Sequence, residues 1–210
     1  MSAGDAVGNS SGEDVGMDLD GVSNLLVLAP TMSSAARRSY YEGLLPERPS
    51  TLDVLAVEYR RSPDQWLDEW QQYVGDRPRQ CTIVSTDETT RSAAAASGGP
   101  VTYGPNTAAC VENPSDLTGL GITVSEYLSE HGGSNTVVTF DSLTALLQYV
   151  ELQRAFRFLH VLTNRVKTAE SVAHFHMDPA AHDDREVATL SSLFDAVAEF
   201  EDGEWSLRRR

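Results

Sequence analysis

The segment Asn24-Leu-Leu-Val-Leu-Ala29 is an unbroken apolar run of strand length. Such a run is typical of a strand that is buried on both faces, as in a parallel sheet. Four later segments also have strand character and alternate with helical ones: Leu52–Glu58, Gln80–Ser85, Thr136–Asp141 and Ser171–Met177. The alternation predicts an α/β fold in which helices flank a mostly parallel, five-stranded sheet.

The segments between these strands predict helices and one irregular stretch. The helices are expected over Ser33–Leu45, Ser62–Trp70, Asp116–His131, Leu143–Lys167 and Arg185–Phe194. Residues 89–114 are rich in Ser, Ala, Gly and Pro, and we expect them to form an irregular insertion. After the last helix, two short segments around Asp202-Gly203 predict a C-terminal β-hairpin.

The length of 210 residues favours a single domain. We expect it to span residues 23–210, after a disordered acidic tail over residues 1–22 that lacks the basic and apolar parts of a signal peptide. No apolar run approaches the roughly 20 residues of a membrane helix. Cys81 and Cys110 match no zinc or redox spacing, so a reducing, cytoplasmic location is expected.

The charge balance restricts the partners of the chain. Its 31 acidic and 16 basic residues give a net charge of −15. Neither nucleic-acid binding nor docking on an anionic membrane is expected, because both need a surplus of cations. Many carboxylates beside a single lysine, Lys167, are typical of a salt-loving host, where acidic groups keep a chain hydrated. The charge is therefore expected to reflect the solvent.

The residues after the first strand are where a nucleotide-binding protein carries a phosphate loop with glycine and lysine. Residues 29–36 contain neither, although their hydroxyl groups can bind an anion weakly at a helix N-terminus or cap the helix. The fourth strand ends in an aspartate, which can hold Mg²⁺ beside a nucleotide or cap the next helix. ATP with Mg²⁺ is the cofactor that such a site would take. The candidate nucleotide-binding residues are Thr31, Ser33, Ser34, Asp141 and Ser142.

Several segments resemble KaiC-like ATPases of the RecA superfamily. Phe140–Tyr149, with the sequence FDSLTALLQY, resembles their Walker B segment, and Leu55–Pro63 resembles their second strand. The segment from Phe194 to Arg208 resembles their closing hairpin. From Asn24 onward the chain also resembles a haloarchaeal group of KaiC-related proteins, through the motifs DLTGLGI (116–122), RFLHVLTNRV (157–166) and HFHMDPAAHDD (174–184). The resemblance implies a RecA-like sheet.

Two departures from active KaiC indicate a degenerate ATPase and favour a role other than catalysis. Arg60 and Arg61 stand where the family carries two glutamates that polarise the attacking water, and a guanidinium is no general base. The phosphate loop is missing as well. We therefore predict a non-catalytic RecA/KaiC-like domain that acts by protein–protein interaction in signalling or regulation, through a protein partner or self-association. The alternative is an ATPase-like protein that binds nucleotide through an unorthodox phosphate site.

A segment rich in His and Asp supports a third hypothesis. His174 and His176 lie two residues apart on a predicted strand and so point the same way, and Asp178 and His182 follow closely. The pattern is similar to the zinc-binding H-x-H-x-D-H of metallo-β-lactamase-like hydrolases, although Pro179 stands where the last histidine belongs. The segment therefore predicts either a metal-dependent hydrolase site or histidines that neighbouring groups satisfy.

The same segment occupies the place where RecA-like proteins keep a loop that contacts a neighbouring subunit. By that resemblance it is predicted to be an interaction loop, and the alternative is a solvated turn that caps the last helix. The residues of this predicted loop are Asp178, Pro179, His182, Asp183 and Asp184.

Overall fold

The computed structural model describes residues 17–45, 49–86, 101–103, 106–111 and 113–210. Its strands are β1 (Asn24–Leu28), β2 (Asp53–Glu58), β3 (Gln80–Ser85), β4 (Val101–Tyr103), β5 (Asn106–Cys110), β6 (Thr136–Asp141), β7 (Val172–Met177), β8 (Ala196–Glu201) and β9 (Glu204–Arg209). Its helices are α1 (Ser34–Gly43), α2 (Pro63–Tyr73), α3 (Leu117–His131), α4 (Leu143–Leu146), α5 (Leu152–Thr168) and α6 (Asp184–Ser191), with 3₁₀ turns at Pro49–Thr51 and Pro179–Ala181.

In the described part of the chain the strands form one nine-stranded sheet in the order β4-β5-β3-β2-β6-β7-β1-β8-β9. Neighbouring strands from β5 to β8 are parallel, and only the two edge strands, β4 and β9, run antiparallel to their neighbours. The predicted fold class is confirmed: a mostly parallel sheet, helices on its faces and a C-terminal antiparallel hairpin. Short right-handed crossovers through helices are the ordinary way to build such a sheet.

The predicted number of five parallel strands is wrong, for two reasons. The first hairpin strand, β8, pairs in parallel with β1 and so extends the main sheet. The predicted irregular insertion contains β4 and β5, and β5 pairs in parallel with β3. The sequence of β5, Asn-Thr-Ala-Ala-Cys, has few of the branched and aromatic residues that mark a strand, so its pairing depends on tertiary contacts. Residues 89–100, 104–105 and 112 of the predicted insertion lie outside the described residues.

The long helix predicted over Leu143–Lys167 is two helices. Hydrogen bonds from Gln148 N to Ala145 O and from Tyr149 N to Leu146 O tighten the end of α4, and α5 begins only at Leu152. Leu146 and Val150 are both buried on either side of the break. Their spacing of four residues imitates a continuous helix, which hides the break in the sequence.

The predicted disordered tail also extends too far toward the first strand. Residues 17–22 are described, and Val22 is buried against the β8–β9 side of the sheet with Met17 and Leu19 beside it. Arg209 on β9 donates hydrogen bonds to the carbonyl oxygens of Asp18 and Asp20. Apolar contacts and these bonds hold the segment against the domain, whereas residues 1–16 lie outside the described part.

The helices cover the two faces of the sheet. Helices α1 and α2 lie on one face, where Trp66 and Trp70 of α2 stack with ring centroids 5.1 Å apart and are fully buried. The larger core lies on the other face, beneath α3, α5 and α6. Among the described residues no helix is both long and apolar enough to cross a lipid bilayer.

Candidate functional site

The carboxyl ends of the central strands bring three titratable side chains into one row. Glu58 is the last residue of β2 and pairs in register with Asp141, the last residue of β6. Asp141 in turn pairs in register with His176 on β7. Because neighbouring residues at one level of a sheet point to the same side, all three face α1 and α2. They border or lie next to a small cavity of about 40 Å³ between these helices and the strand ends.

Arg61, just after β2, binds three carboxylates at once. Its Nε and Nη2 donate to the two oxygens of Glu58, at 2.9 and 2.7 Å. Its Nη2 lies 2.9 Å from Asp141 Oδ2, and its Nη1 lies 2.5 Å from Glu69 Oε1 on α2. The forked guanidinium suits such bidentate contacts, which are among the stronger hydrogen bonds in proteins.

Arg37 on α1 contacts two of the same carboxylates, those of Glu69 and Asp141. Its Nη1 lies 3.0 Å from Glu69 Oε1 and 3.2 Å from Asp141 Oδ2. Arg60 adds a longer contact, 3.9 Å from Asp141 Oδ1. Three guanidiniums thus balance three carboxylates. We call this group the Arg61 cluster, and it consists of Arg37, Glu58, Arg60, Arg61, Glu69 and Asp141.

The arginines determine the protonation state of Asp141. Burial by itself raises the pKa of this carboxyl, but the positive charge of Arg61, with smaller contributions from His176, Arg37 and Arg60, outweighs it and lowers the pKa to about 2. Burial also raises the pKa of Glu58, and the opposing charge of Arg61 limits that rise. Asp141 is therefore ionised at neutral pH and bound to arginine.

The two histidines predicted as metal ligands pack against Tyr40 of α1. The Tyr40 hydroxyl lies 2.9 Å from His174 Nδ1, and the Tyr40 ring meets the His176 ring edge-on with centroids 4.5 Å apart. Burial lowers the pKa of His174 to about 3 and that of His176 to about 4. Both rings are therefore neutral at pH 7, and they lie under Tyr40 of α1, with His176 next to the Arg61 cluster.

The predicted set of metal ligands is not assembled. Asp178 accepts hydrogen bonds from the backbone N–H of Thr31 at 2.8 Å and of Ala180 at 3.1 Å. His182 turns away from the strand and contacts the side chains of Thr144 and Glu186. No three His, Cys, Asp or Glu side chains converge on a possible metal position within the part of the chain that the structure describes. Local backbone bonds and the tyrosine contact satisfy these groups instead.

The candidate nucleotide-binding residues lie at the same end of the sheet, but mostly in structural roles. Ser33 caps α1 by accepting from Ala36 N at 3.1 Å, and Ser142 caps α4 by accepting from Ala145 N at 3.2 Å. The N–H of Thr31 is bound to Asp178. Ser34 is exposed and does not border the cavity. The structure thus brings Thr31, Ser33, Ser142 and Asp141 around one cavity, which Arg37 and Arg61 also line.

The predicted interaction loop forms a compact connection between β7 and α6. Asp178 begins the 3₁₀ turn that contains Pro179, and Asp183 caps α6 by accepting from Glu186 N at 2.8 Å. Asp184 is the exposed first residue of α6. His182 is held by the two contacts described above, so the loop is pinned to α4 and α6.

Four residues of the site were not singled out from the sequence: Arg37, Tyr40, Glu58 and Glu69. Glu58 carries a local signal, since it is a carboxylate at the end of a buried, mainly apolar strand, as Asp141 is. The other three belong to helices in which the polar residues are spaced as on an ordinary solvent-exposed helix face. Only the packing of α1 and α2 over the strand ends brings them to Asp141.

The fold and the site define the class of the protein: it is an α/β protein with a mostly parallel sheet and an arginine–carboxylate cluster at the carboxyl ends of its strands. The chain belongs to DUF7504, a family of unknown function, which matches residues 22–200. No curated protein sequence matches it.

Two solved structures are similar to the chain. PH0250 from Pyrococcus horikoshii OT3, the subject of a structural study, has a TM-score of 0.56 and 12% sequence identity, covering 90% of this chain and 86% of that one. The flagellar accessory protein FlaH from Methanocaldococcus jannaschii has a TM-score of 0.48 and 12% identity, covering 88% of this chain and 75% of that one. The likeness to PH0250 shows a shared fold.

Proposed function

We propose that this chain is a non-catalytic RecA/KaiC-like domain that acts through protein contacts in signalling or regulation. One observation carries the proposal: Arg61 binds both Glu58 and Asp141 at the strand ends, with its Nη2 at 2.7 and 2.9 Å. A carboxylate that holds Mg²⁺ or activates water needs lone pairs open to that ligand. Here arginine N–H groups take those positions.

The charge of Arg61 opposes a metal ion at Asp141. At a separation of 4 Å and an effective dielectric constant of 20, a divalent cation and a guanidinium repel each other by about 8 kcal/mol. Metal binding would therefore require Arg61 to leave Asp141. Because Arg61 also holds Glu58 and Glu69, its departure would break the contact between the end of β2 and α2.

The space at the strand ends supports the same proposal. The cavity of about 40 Å³ has room for roughly three water molecules, which need about 10–15 Å³ each, and a nucleoside triphosphate is far larger. The Ser33 hydroxyl, which an anion at the N-terminus of α1 would contact, already bonds Ala36 N. A bound nucleotide would have to displace both the cap and the arginines.

Action through protein contacts draws its support from the opposite face of the sheet. Two large apolar side chains there are more than half exposed, Ile122 on α3 at 54% and Val161 on α5 at 59%. Clustered exposed apolar side chains are typical of surfaces that another protein covers.

A calorimetric titration with ATP and Mg²⁺, at low salt and in molar KCl, tests the proposal. We expect no heat beyond dilution up to millimolar ATP, because Arg61 and Arg37 occupy the carboxylates. The matched variants are Asp141→Asn and Asp68→Asn, the second being an exposed position on α2. Micromolar binding that Asp141→Asn abolishes and Asp68→Asn preserves would contradict the proposal and establish the nucleotide-binding alternative.

A further inference from the structure

A groove runs between α3 and α5 on the face of the sheet opposite the Arg61 cluster. Its volume is about 730 Å³. Ile122 of α3 and Val161 of α5 both line it, at 54% and 59% exposure, together with the half-buried ring of Phe158 on α5. Gly121 of α3 lies against that ring, and a Cβ at this position would make an ordinary van der Waals contact, 3.5 Å from Phe158 Cε2. We call this surface the α3–α5 groove.

The two walls of the groove carry opposite charges. Glu126 and Glu130 are exposed on the α3 side. Helix α5 has Arg154, Arg157 and Arg165 on the other side and contains no acidic residue over its whole length, in a chain with a net charge of −15. A segment this basic stands out against the rest of the molecule.

Few of these charged side chains form ion pairs with other described residues. Within the described ranges Glu126, Arg157 and Arg165 make no ion pair, and Arg154 donates only to the carbonyl oxygen of Ser115. Among the described residues, the one ionisable partner of Glu130 is His131, at 3.7 Å. The Arg61 cluster shows how this chain pairs its charges when they are buried, and here the groups remain available for a partner.

The arrangement is complementary to itself. Helices α3 and α5 run in the same direction, because each leads from one parallel strand to the next. A two-fold axis along the groove would therefore lay α3 of each copy on α5 of the other, with parallel helices. Gly121 on α3 and Phe158 on α5 are in contact and so lie at the same level along the two helices. Glu130 follows Gly121 by about two and a half helical turns, and Arg165 follows Phe158 by about two turns, so Glu130 and Arg165 also lie at similar levels.

We propose that the α3–α5 groove is the surface through which this chain binds a second copy of itself, α3 against α5. The apolar side chains of the two grooves cover one another, and the acidic wall of each copy meets the basic wall of the other. This inference rests on the proposed action through protein contacts and names the partner and the surface.

Charge reversal on the full chain tests the inference by sedimentation velocity. Variant A carries Glu126→Arg and Glu130→Arg, and variant B carries Arg157→Glu and Arg165→Glu. We expect the wild type to dimerise and each variant alone to dissociate about tenfold or more readily, because both contacts of its homodimer become like-charged. An equimolar mixture of A and B is expected to dimerise again, since both of its contacts then join opposite charges.

An apolar variant keeps the test decisive when salt screens the charges. Ile122→Ser with Val161→Ser is expected to weaken the dimer in molar KCl as well. Met32→Ser is the matched control, because Met32 is 92% exposed and lies outside the groove. Glu201→Arg with Glu204→Arg on the β8–β9 hairpin controls for charge reversal elsewhere. Far-UV circular dichroism confirms that every variant is folded.

The outcomes separate this inference from the proposed function. A wild type that is monomeric at all concentrations and salts overturns the inference, as does a dimer that neither groove variant weakens or that the A–B mixture does not restore. The proposed function stands or falls with the ATP titration, which does not depend on the oligomeric state. A chain that binds ATP yet dimerises through the groove would refute the function and keep the interface.

Discussion

The Arg61 cluster and the α3–α5 groove use the same kinds of side chain in opposite ways. In the cluster, arginines and carboxylates from four elements meet, most of them at 2.5–3.2 Å, and the carboxylates of Glu58 and Asp141 are almost completely removed from water. In the groove, arginines and glutamates on two helices stand apart and exposed, around exposed apolar side chains. The difference indicates that the first region holds the domain together and the second is open to a partner.

Burial explains why the two regions differ. A charge taken out of water is costly unless it is paired, so the carboxylates at the strand ends are stable only beside Arg37 and Arg61. A charge on an exposed helix is hydrated, and an ion pair there contributes at most about 1 kcal/mol. The groove charges therefore need no partner for folding.

Removing one arginine from each region gives the largest contrast. Arg61→Ala leaves Glu58 and Asp141 buried with too few partners, and we expect it to lower the free energy of unfolding by about 3–5 kcal/mol. Arg157→Ala in the groove is the matched control, with an expected change within about 0.5 kcal/mol at protein concentrations low enough to keep the chain monomeric. Denaturant unfolding at neutral pH measures both.

A companion variant shows whether the loss comes from unpaired charge. Arg61→Met combined with Glu58→Gln removes a donor and an acceptor together, so it should cost less than Arg61→Ala alone. Equal decreases in the free energy of unfolding for Arg61→Ala and Arg157→Ala would contradict the difference between the two regions.

The histidines beside the cluster give a pH-dependent contrast. Burial lowers the pKa of His174 to about 3 in the folded chain, against about 6.5 when unfolded. Between these values the unfolded chain binds more protons, so the stability that neutral His174 contributes is present above pH 6.5 and is lost as the pH falls toward 3. His174→Asn should reduce the slope of unfolding free energy against pH by about 1.4 kcal/mol per unit in that window.

The matched control for this slope is His160→Asn, an exposed histidine on α5. It is expected to leave the slope as in the wild type. Other groups that titrate in the window, such as His176 and Glu58, affect wild type and variants alike, so the difference in slope reports His174. An unchanged slope in His174→Asn would mean that this ring is not held neutral under α1.

Much of the fold is readable from the sequence because the central strands are apolar runs. The predicted bounds of β1, β2, β3, β6 and β7 agree with the structure to within one residue. The sequence-based prediction was wrong where the local residue pattern gave no signal or a misleading one. The Ala-rich β5 has little strand propensity of its own, and Leu146 and Val150 keep a helical spacing across the break between α4 and α5.

The site was readable only in part, since its contacts are distant in sequence. Asp141 was found because a carboxylate ends a buried strand, and Arg61 because it stands in place of an expected glutamate. Their contacts with Arg37 and Glu69 depend on the packing of α1 and α2, which no local pattern encodes. The predicted metal ligands are separated for the converse reason: His174 and His182 are close in sequence but bond to different elements.

The central claim is that Arg61 and Asp141 form an ion pair in the folded protein in solution. A double-mutant cycle on these two residues tests it most directly. The free energy of unfolding is measured for the wild type, Arg61→Ala, Asp141→Asn and the double variant at neutral pH. The account predicts a coupling of about 1–3 kcal/mol, as for residues in one buried ionic network. Losses that add to within about 0.3 kcal/mol would contradict it, because Asp141 would then be independent of Arg61 and open to a metal ion.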